Sequence, residues 1–255
     1  GKDRLSADFE VVTGRNAKIV KMGMKAYYHN RASTAIDSSF AGKWARPAGH
    51  PDTLVKRHPS TGQTGTLSSP RGWYDAGDYG KYIVNSGITC WLLLDLYETA
   101  SPSFDSLKWG IPAGPEPEML REIKWNLDWM LTMQDSDGGV YHKLTTLKFN
   151  PMNELPHQDL GERYVVMKTT AATLDFVLVM AKSARLWKTR DSAYSNRCLA
   201  AARRAWAWSV ANPDSLYKQP SDVRTGQYED KRVSDERFAA AAELALATGD
   251  TLLFK

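Results

Sequence analysis

The sequence predicts an all-α protein, and three observations carry that prediction. Six long segments, 17–31, 79–99, 117–134, 168–188, 192–211 and 235–247, repeat apolar residues at spacings of three and four. No segment shows the strict alternation of a half-buried strand. The connections are rich in Gly, Pro and Asn, which punctuate helices rather than continue them.

Each element has its own signature. After 17–31 comes a long connection, 34–74, containing Arg46-Pro-Ala-Gly-His-Pro-Asp52 and Ser60-Thr-Gly-Gln-Thr-Gly65. The segment 79–99 is apolar nearly all round, as an enclosed helix is, and Asp78 stands at the expected N-cap. At 117–134, Glu116, Pro117 and Glu118 put a proline and two acids at the first turn. A second long connection, 135–163, carries Tyr141 and His142 just after Gly138 and Gly139. In 168–188 the run 176–181 reads as a buried face, whereas 192–211 has a one-sided stripe of Ala, Leu and Trp, so inner helices are enclosed by outer ones. Ser234 is the expected N-cap of 235–247, and Gly249 follows its last periodic residue. Loops as long as 34–74 and 135–163 in a compact domain tend to carry function.

Composition narrows the class. The 255 residues are 42% hydrophobic, ample for a packed core, and the net charge of +4 is spread in mixed-sign patches without a run of five like charges. That pattern gives no support for nucleic-acid or membrane-surface binding, and no stretch of roughly 18 apolar residues reads as a membrane span. The first residues lack the apolar stretch of a signal peptide, so the chain is expected either to be cytoplasmic or to have lost a leader ahead of Gly1. Cys90 and Cys198 lack metal or redox spacing and sit in apolar helical patterns, which reads as buried thiols. Nine tryptophans and eleven tyrosines supply planar rings of the kind that stack on sugar faces.

The stretch 72–86 holds the most informative chemistry. Asp75 and Asp78 lie three residues apart around Gly77, whose backbone freedom would let both acids project to one side of a tight turn. Spacing leaves two roles open. Asp78 caps the next helix while Asp75 satisfies loop amides, or the pair holds and deprotonates a water, a role suited to the flanking Trp73, Tyr74, Tyr79 and Tyr82. His142, after its double-glycine turn, can face a ligand or be structural. The run from Asp135 fails as a calcium loop, because Gly139 and Thr146 stand where ligands are needed. His50 and His58 lack cysteine partners at zinc spacing. Asp230, Asp235 and Glu236 form an acidic knot that either binds a hard cation or favours a helix dipole.

The string Gly72-Trp-Tyr-Asp-Ala-Gly-Asp-Tyr-Gly-Lys-Tyr-Ile-Val-Asn-Ser-Gly87 closely resembles the base-bearing motif of glycoside hydrolase family 9, the inverting endoglucanases. Collinear matches run through Lys43-Trp-Ala-Arg-Pro-Ala-Gly-His-Pro-Asp52, Trp125-Asn-Leu-Asp-Trp-Met-Leu-Thr-Met-Gln134, Gly138-Gly-Val-Tyr-His-Lys143, Ser183-Ala-Arg185 and Val233-Ser-Asp-Glu-Arg-Phe238. The resemblance implies an (α/α)6 barrel, about half of it here, with 1–15 a linker or the end of a preceding domain and 16–255 the N-terminal portion of the hydrolase domain. It implies hydrolysis of internal β-1,4 bonds in cellulose or related β-glucans, with Asp78 as general base and Asp75 holding the water. His142, Trp73, Tyr74 and Tyr228 would contact substrate.

The same resemblance implies no cofactor for the chemistry and a structural calcium at Asp235 and Glu236, although Lys231 and Arg232 stand where smaller or neutral residues are expected. Zinc is not expected, since Ala32 and Gly49 replace the cysteines that hold it in some relatives. It further implies a secreted or cell-surface location. The family's general acid, a glutamate, has no counterpart in context here, Glu162, Glu229 and Glu243 included. A fragment or one chain of a split barrel is therefore expected, with a separate C-terminal half as partner. Two other outcomes stay open: an exo-acting, glucosamine or mixed-linkage glycosidase of this fold, and a non-catalytic glucan-binding half-barrel.

Overall fold

A computed structural model describes residues 15–105, 107–151 and 153–254. The expected linker, 1–15, lies outside these residues but for its last member. Seven α-helices occur among the described residues: α1 (Arg15–His29), α2 (Ser38–Ala41), α3 (Ile83–Asp105), α4 (Glu118–Thr132), α5 (Thr170–Trp187), α6 (Ser192–Ala211) and α7 (Ser234–Thr248). The six predicted helices are α1 and α3 to α7, and α6 has the predicted bounds. The short α2 is an addition, begun by Asp37, whose side chain accepts from the Ser39 amide.

Helix α5 is the hub, packing on α3, α6 and α7. Its Leu174, Phe176, Val177, Val179 and Met180 are wholly enclosed, joined by Leu94 of α3 and by Leu127 and Trp129 of α4 in one core. Burying each such side chain contributes about 1.5 to 3 kcal/mol. Gly87 lets α3 approach α5 closely, for a Cβ there would lie 2.7 Å from the Cβ of Asp175. At the other end of these helices, Lys182 bridges Asp95 and Glu98 of α3 to Glu243 of α7, and Arg185 repeats the link to Glu98 and Glu243. Cys90 and Cys198 are buried free thiols.

The expectation of no strand is corrected. Five short strands form one sheet in the order β2-β1-β5-β4-β3. They are β1 (Val55–Arg57), β2 (Thr66–Leu67), β3 (Lys81–Tyr82), β4 (Lys143–Thr145) and β5 (Tyr164–Val165). Only β1 and β5 pair in parallel. Runs of two or three residues, several with buried lysines, are too short to show alternation. The sheet ties the two long connections to the start of α3.

Helix ends differ from expectation in three places. Helix α3 begins at Ile83, not Tyr79, because Lys81 and Tyr82 pair with Leu144 and Lys143. Asp78 therefore caps no helix. Val233 occupies the cap position of α7 without a side-chain bond, and Ser234 is the first helical residue. Pro117 stands just ahead of α4 in extended backbone, not inside its first turn. Gly249 closes α7 with φ 77°, as its position suggests.

Candidate active site

Backbone bonds shape the turn that carries the two carboxylates. The Tyr74 amide donates to the Asn30 carbonyl (2.8 Å), the Asp75 amide to the Gly80 carbonyl (2.9 Å) and the Tyr79 amide to the Ala76 carbonyl (3.0 Å). The left-handed residue in the turn is Tyr79, with φ 50°, and not Gly77. Gly80 is required for space, since a Cβ there would lie 2.7 Å from the Tyr82 ring.

Each carboxylate has its own clamp. Asp78 is 2% exposed. Its Oδ1 accepts from the Gly80 amide (2.9 Å), and its Oδ2 accepts from the Tyr82 hydroxyl. Asp75 is exposed, and its Oδ1 accepts from Asn85 Nδ2 (2.8 Å) while its Oδ2 accepts from the Tyr228 hydroxyl (2.7 Å). Burial, followed by the negative charge of Asp78, pushes the Tyr82 phenol far above its usual range, so it stays a donor. Lys143 is buried below Tyr82, its ammonium 5.4 Å from the ring centroid. Burial lowers its pKa to about 8, against the opposing pull of Asp78.

Asp75 opens onto a cavity of about 160 Å³, walled by Tyr27, Trp73, Tyr74 and Tyr82 with Asn30 and Asn85 at its polar side. Among the described residues no glutamate lines it. Trp73 is anchored twice to α4: its amide donates to Asn126 Oδ1 (3.0 Å) and its indole to Glu122 Oε1 (2.9 Å). Glu122, wholly buried, also takes two bonds from Arg31 at 3.1 and 2.9 Å. A two-point Arg–carboxylate contact of this kind fixes both groups. Tyr74 is mostly buried, its hydroxyl 2.8 Å from His50 Nδ1.

His142 lies inside the protein, not on the cavity wall. It is fully buried, stacked on Tyr217 at 4.0 Å, with Nδ1 3.0 Å from Thr169 Oγ1 and Nε2 donating to the Gln227 carbonyl at 2.9 Å. It offers no free atom to a sugar. Desolvation lowers its pKa to about 4, so the ring is neutral. Tyr228 does lie at the site, 43% exposed, and packs edge-on against Tyr82 at 4.8 Å.

Asp235 and Glu236 line a second cavity, of about 510 Å³, which they share with Asp175, Glu229 and Asp230 and which Asn85 and Tyr228, the partners of Asp75, border. The chemistry fits a hard cation. Glu236 Oε2 is buried without a hydrogen-bond partner, and five acids line the cavity. Burial, then repulsion by Asp235 and Asp230, raises Glu236 to about 7; Asp175 is raised well above its usual range by burial and the same neighbours. Among the described residues no three His, Cys, Asp or Glu side chains are already gathered as a metal cluster. His50 borders a cavity of about 420 Å³, but both its ring nitrogens are engaged, Nε2 with Asp159 and Nδ1 with the Tyr74 hydroxyl, each at 2.8 Å; a Cβ at Gly49 would lie 2.5 Å from the Pro156 carbonyl oxygen.

Asn85 and Glu122 were not singled out from sequence as working parts of the site, and Tyr82 was named only as a flanking ring, not as a partner of Asp78. Asn85 and Tyr82 lie within the 72–86 motif, Tyr82 four residues after Asp78; Glu122 gave no signal beyond being an acid on an apolar helix. Asp175 joins the acid cavity from α5, far from the knot at 230–236 in sequence.

The family model for glycosyl hydrolase family 9 matches residues 17–254. The chain belongs to glycosyl hydrolase family 9. It is 40% identical to a xyloglucan-specific endo-β-1,4-glucanase of Bacteroides ovatus, over 97% of this chain and 49% of that protein. It is 31% identical to endoglucanase D of Acetivibrio thermocellus, over 96% of this chain and 40% of that one. The solved structure of a Bacteroides ovatus family 9 protein superposes with a TM-score of 0.89 at 42% identity, covering 93% of this chain and 47% of the other. This family 9 chain thus carries about half of the (α/α)6 barrel of its structural neighbours, and it spans about half or less of the curated relatives' length. Among the described residues no helix is long and apolar enough to cross a membrane.

Proposed function

We propose that these residues supply the base side of an inverting β-1,4-glucanase. The observation that carries this is the pair of carboxylates on one turn, separately clamped, beside an aromatic-walled cavity. Asp78 takes a proton from water while Asp75 orients it. The water's oxygen bonds to the anomeric carbon from the face opposite the leaving group. As that bond forms, the C–O bond to the leaving group breaks, its electron pair going to the leaving oxygen, which takes its proton from a glutamate in the part of the barrel outside this chain. A separation of about 6.5 to 9.5 Å between acid and base admits that water. The substrate class is a β-1,4-glucan, with xyloglucan and cellulose both within the range of the relatives' names. No cofactor takes part in the chemistry. Calcium, held by Asp235 and Glu236 with Asp230 or Asp175, would neutralise the acid cavity and brace α7. By the same resemblance the protein acts outside the cell or at its surface.

A second role assignment exchanges the two aspartates, favoured by the exposure of Asp75 against the burial of Asp78. The test joins the chain to the glutamate-bearing remainder of its barrel and assays carboxymethyl cellulose and xyloglucan with Asp78→Ala and Asp75→Ala. Asp78→Ala is expected to lower kcat/KM by about 100-fold or more and to erase the acidic limb of its pH profile. A loss below about tenfold overturns the base role of Asp78, and disappearance of the limb in Asp75→Ala alone moves that role to Asp75.

A further inference from the structure

The connection between α6 and α7 crosses the sheet end and delivers Tyr228 to Asp75. Three features fix its path at 225–228. Lys143, itself buried, donates to the Gly226 carbonyl and lies 3.3 Å from Thr225 Oγ1. His142, its neighbour in sequence, donates to the Gln227 carbonyl at 2.9 Å. Tyr228 then turns through left-handed backbone, φ 51°, a conformation that a residue with a Cβ adopts only when its surroundings impose it. Gly226 is needed at the bend: a Cβ there would lie 2.7 Å from the Tyr228 ring and 3.3 Å from the Tyr82 hydroxyl. Beyond the bend the two tyrosine rings meet edge-on at 4.8 Å, one donating to Asp75 and the other to Asp78.

We infer that His142 and Lys143 are positioning residues that act on the carboxylate pair through the 226–228 strap, and that the Tyr228 hydroxyl is its working end. This rests on the proposed hydrolase function and adds to it. A histidine at this place that gripped the sugar would need a free ring nitrogen, and both nitrogens of His142 are engaged inside the protein. The strap holds one oxygen of Asp75 through Tyr228 while Asn85 holds the other, so the carboxylate has a single orientation relative to Asp78. The hydroxyl and the ring of Tyr228 thereby have separable roles, the ring being free to meet sugar.

The test measures kcat and KM on a cello-oligosaccharide, in the chain joined to the rest of its barrel, for Tyr228→Phe, His142→Phe, His142→Gln and the double variant Tyr228→Phe/His142→Phe. Loss of one hydrogen bond to a charged group predicts that Tyr228→Phe lowers kcat about tenfold to 100-fold with KM changed less than about twofold. His142→Phe should show the same split, and His142→Gln, which restores an N–H donor, should recover most of the loss. The double variant should be no worse than Tyr228→Phe alone, because two changes along one path are not additive. A rise in KM without a fall in kcat for either single variant, or additive losses in the double, overturns the inference. Should His142→Phe fail to fold, Gly226→Ala crowds the same bend and must give the same kcat loss. If the wild-type protein is inactive, or Asp78→Ala is harmless, it is the hydrolase function that fails.

Discussion

Four residues around the site, His50, Asp52, Tyr79 and Tyr228, hold left-handed backbone with φ between 48° and 51°. Each such residue costs about 1 to 2 kcal/mol, and each is tied down by side-chain bonds: His50 to Tyr74 and Asp159, Asp52 to Lys81 and Arg163, Tyr79 to the Glu154 carbonyl, Tyr228 to Asp75. His142 lends itself to a measurement on the chain alone. Its folded pKa, about 4, lies below the ordinary 6.5, so between those values the unfolded chain binds the proton more readily. The contribution of neutral His142 is complete above about pH 6.5 and is lost as pH falls toward 4, about 3 kcal/mol in all. Urea unfolding of wild type and His142→Gln at pH 7 and 4.5 should show a smaller acid loss in the variant; equal losses contradict the neutral buried ring. The two aspartates and their spacing were legible in the sequence. The Tyr228 clamp on Asp75 was not, because the two residues lie 153 positions apart and are joined only by the fold.

At the scale of elements, long periodic helices were legible because their apolar stripes repeat over several turns, and α6 came out with its predicted bounds. The sheet was not, because β3 offers only Lys81 and Tyr82 and β4 only Lys143 to Thr145. Their pairing decides where α3 starts, which is why Asp78 was free to leave the cap role for the site. The acid cavity joins α5 to the start of α7, and its occupant is open to a direct test. Carboxylates must lose their protons to bind a cation, so affinity should rise as pH passes the value of about 7 for Glu236. Saturating calcium is expected to raise the melting temperature by about 5 °C or more over a chelated sample at pH 8, less at pH 6, and not at all in Asp235→Asn. Equal melting temperatures with calcium and chelator contradict the calcium assignment.

At the scale of the whole molecule, the exposed apolar residues of α3 fall at one helical spacing: Ile88 (51%), Leu92 (53%) and Leu96 (42%), with Leu246 exposed on α7. A stripe of this kind marks a contact face, and the remaining half of the barrel, as a continuation or a separate chain, is the partner we propose for it. The sequence motif spoke for the family because its residues are contiguous. The acid that completes the chemistry is not legible, since no glutamate of this chain lines the cavity at Asp75 among the described residues. The central claim, that Asp75 and Asp78 direct water to the face opposite the leaving group, is tested most directly by the product's anomeric form. In the chain completed by its glutamate-bearing half, early proton NMR spectra of cello-oligosaccharide hydrolysis should show the new reducing end as the α-anomer, which then relaxes to the equilibrium mixture. An initial β-anomer would mean retention and would contradict the account.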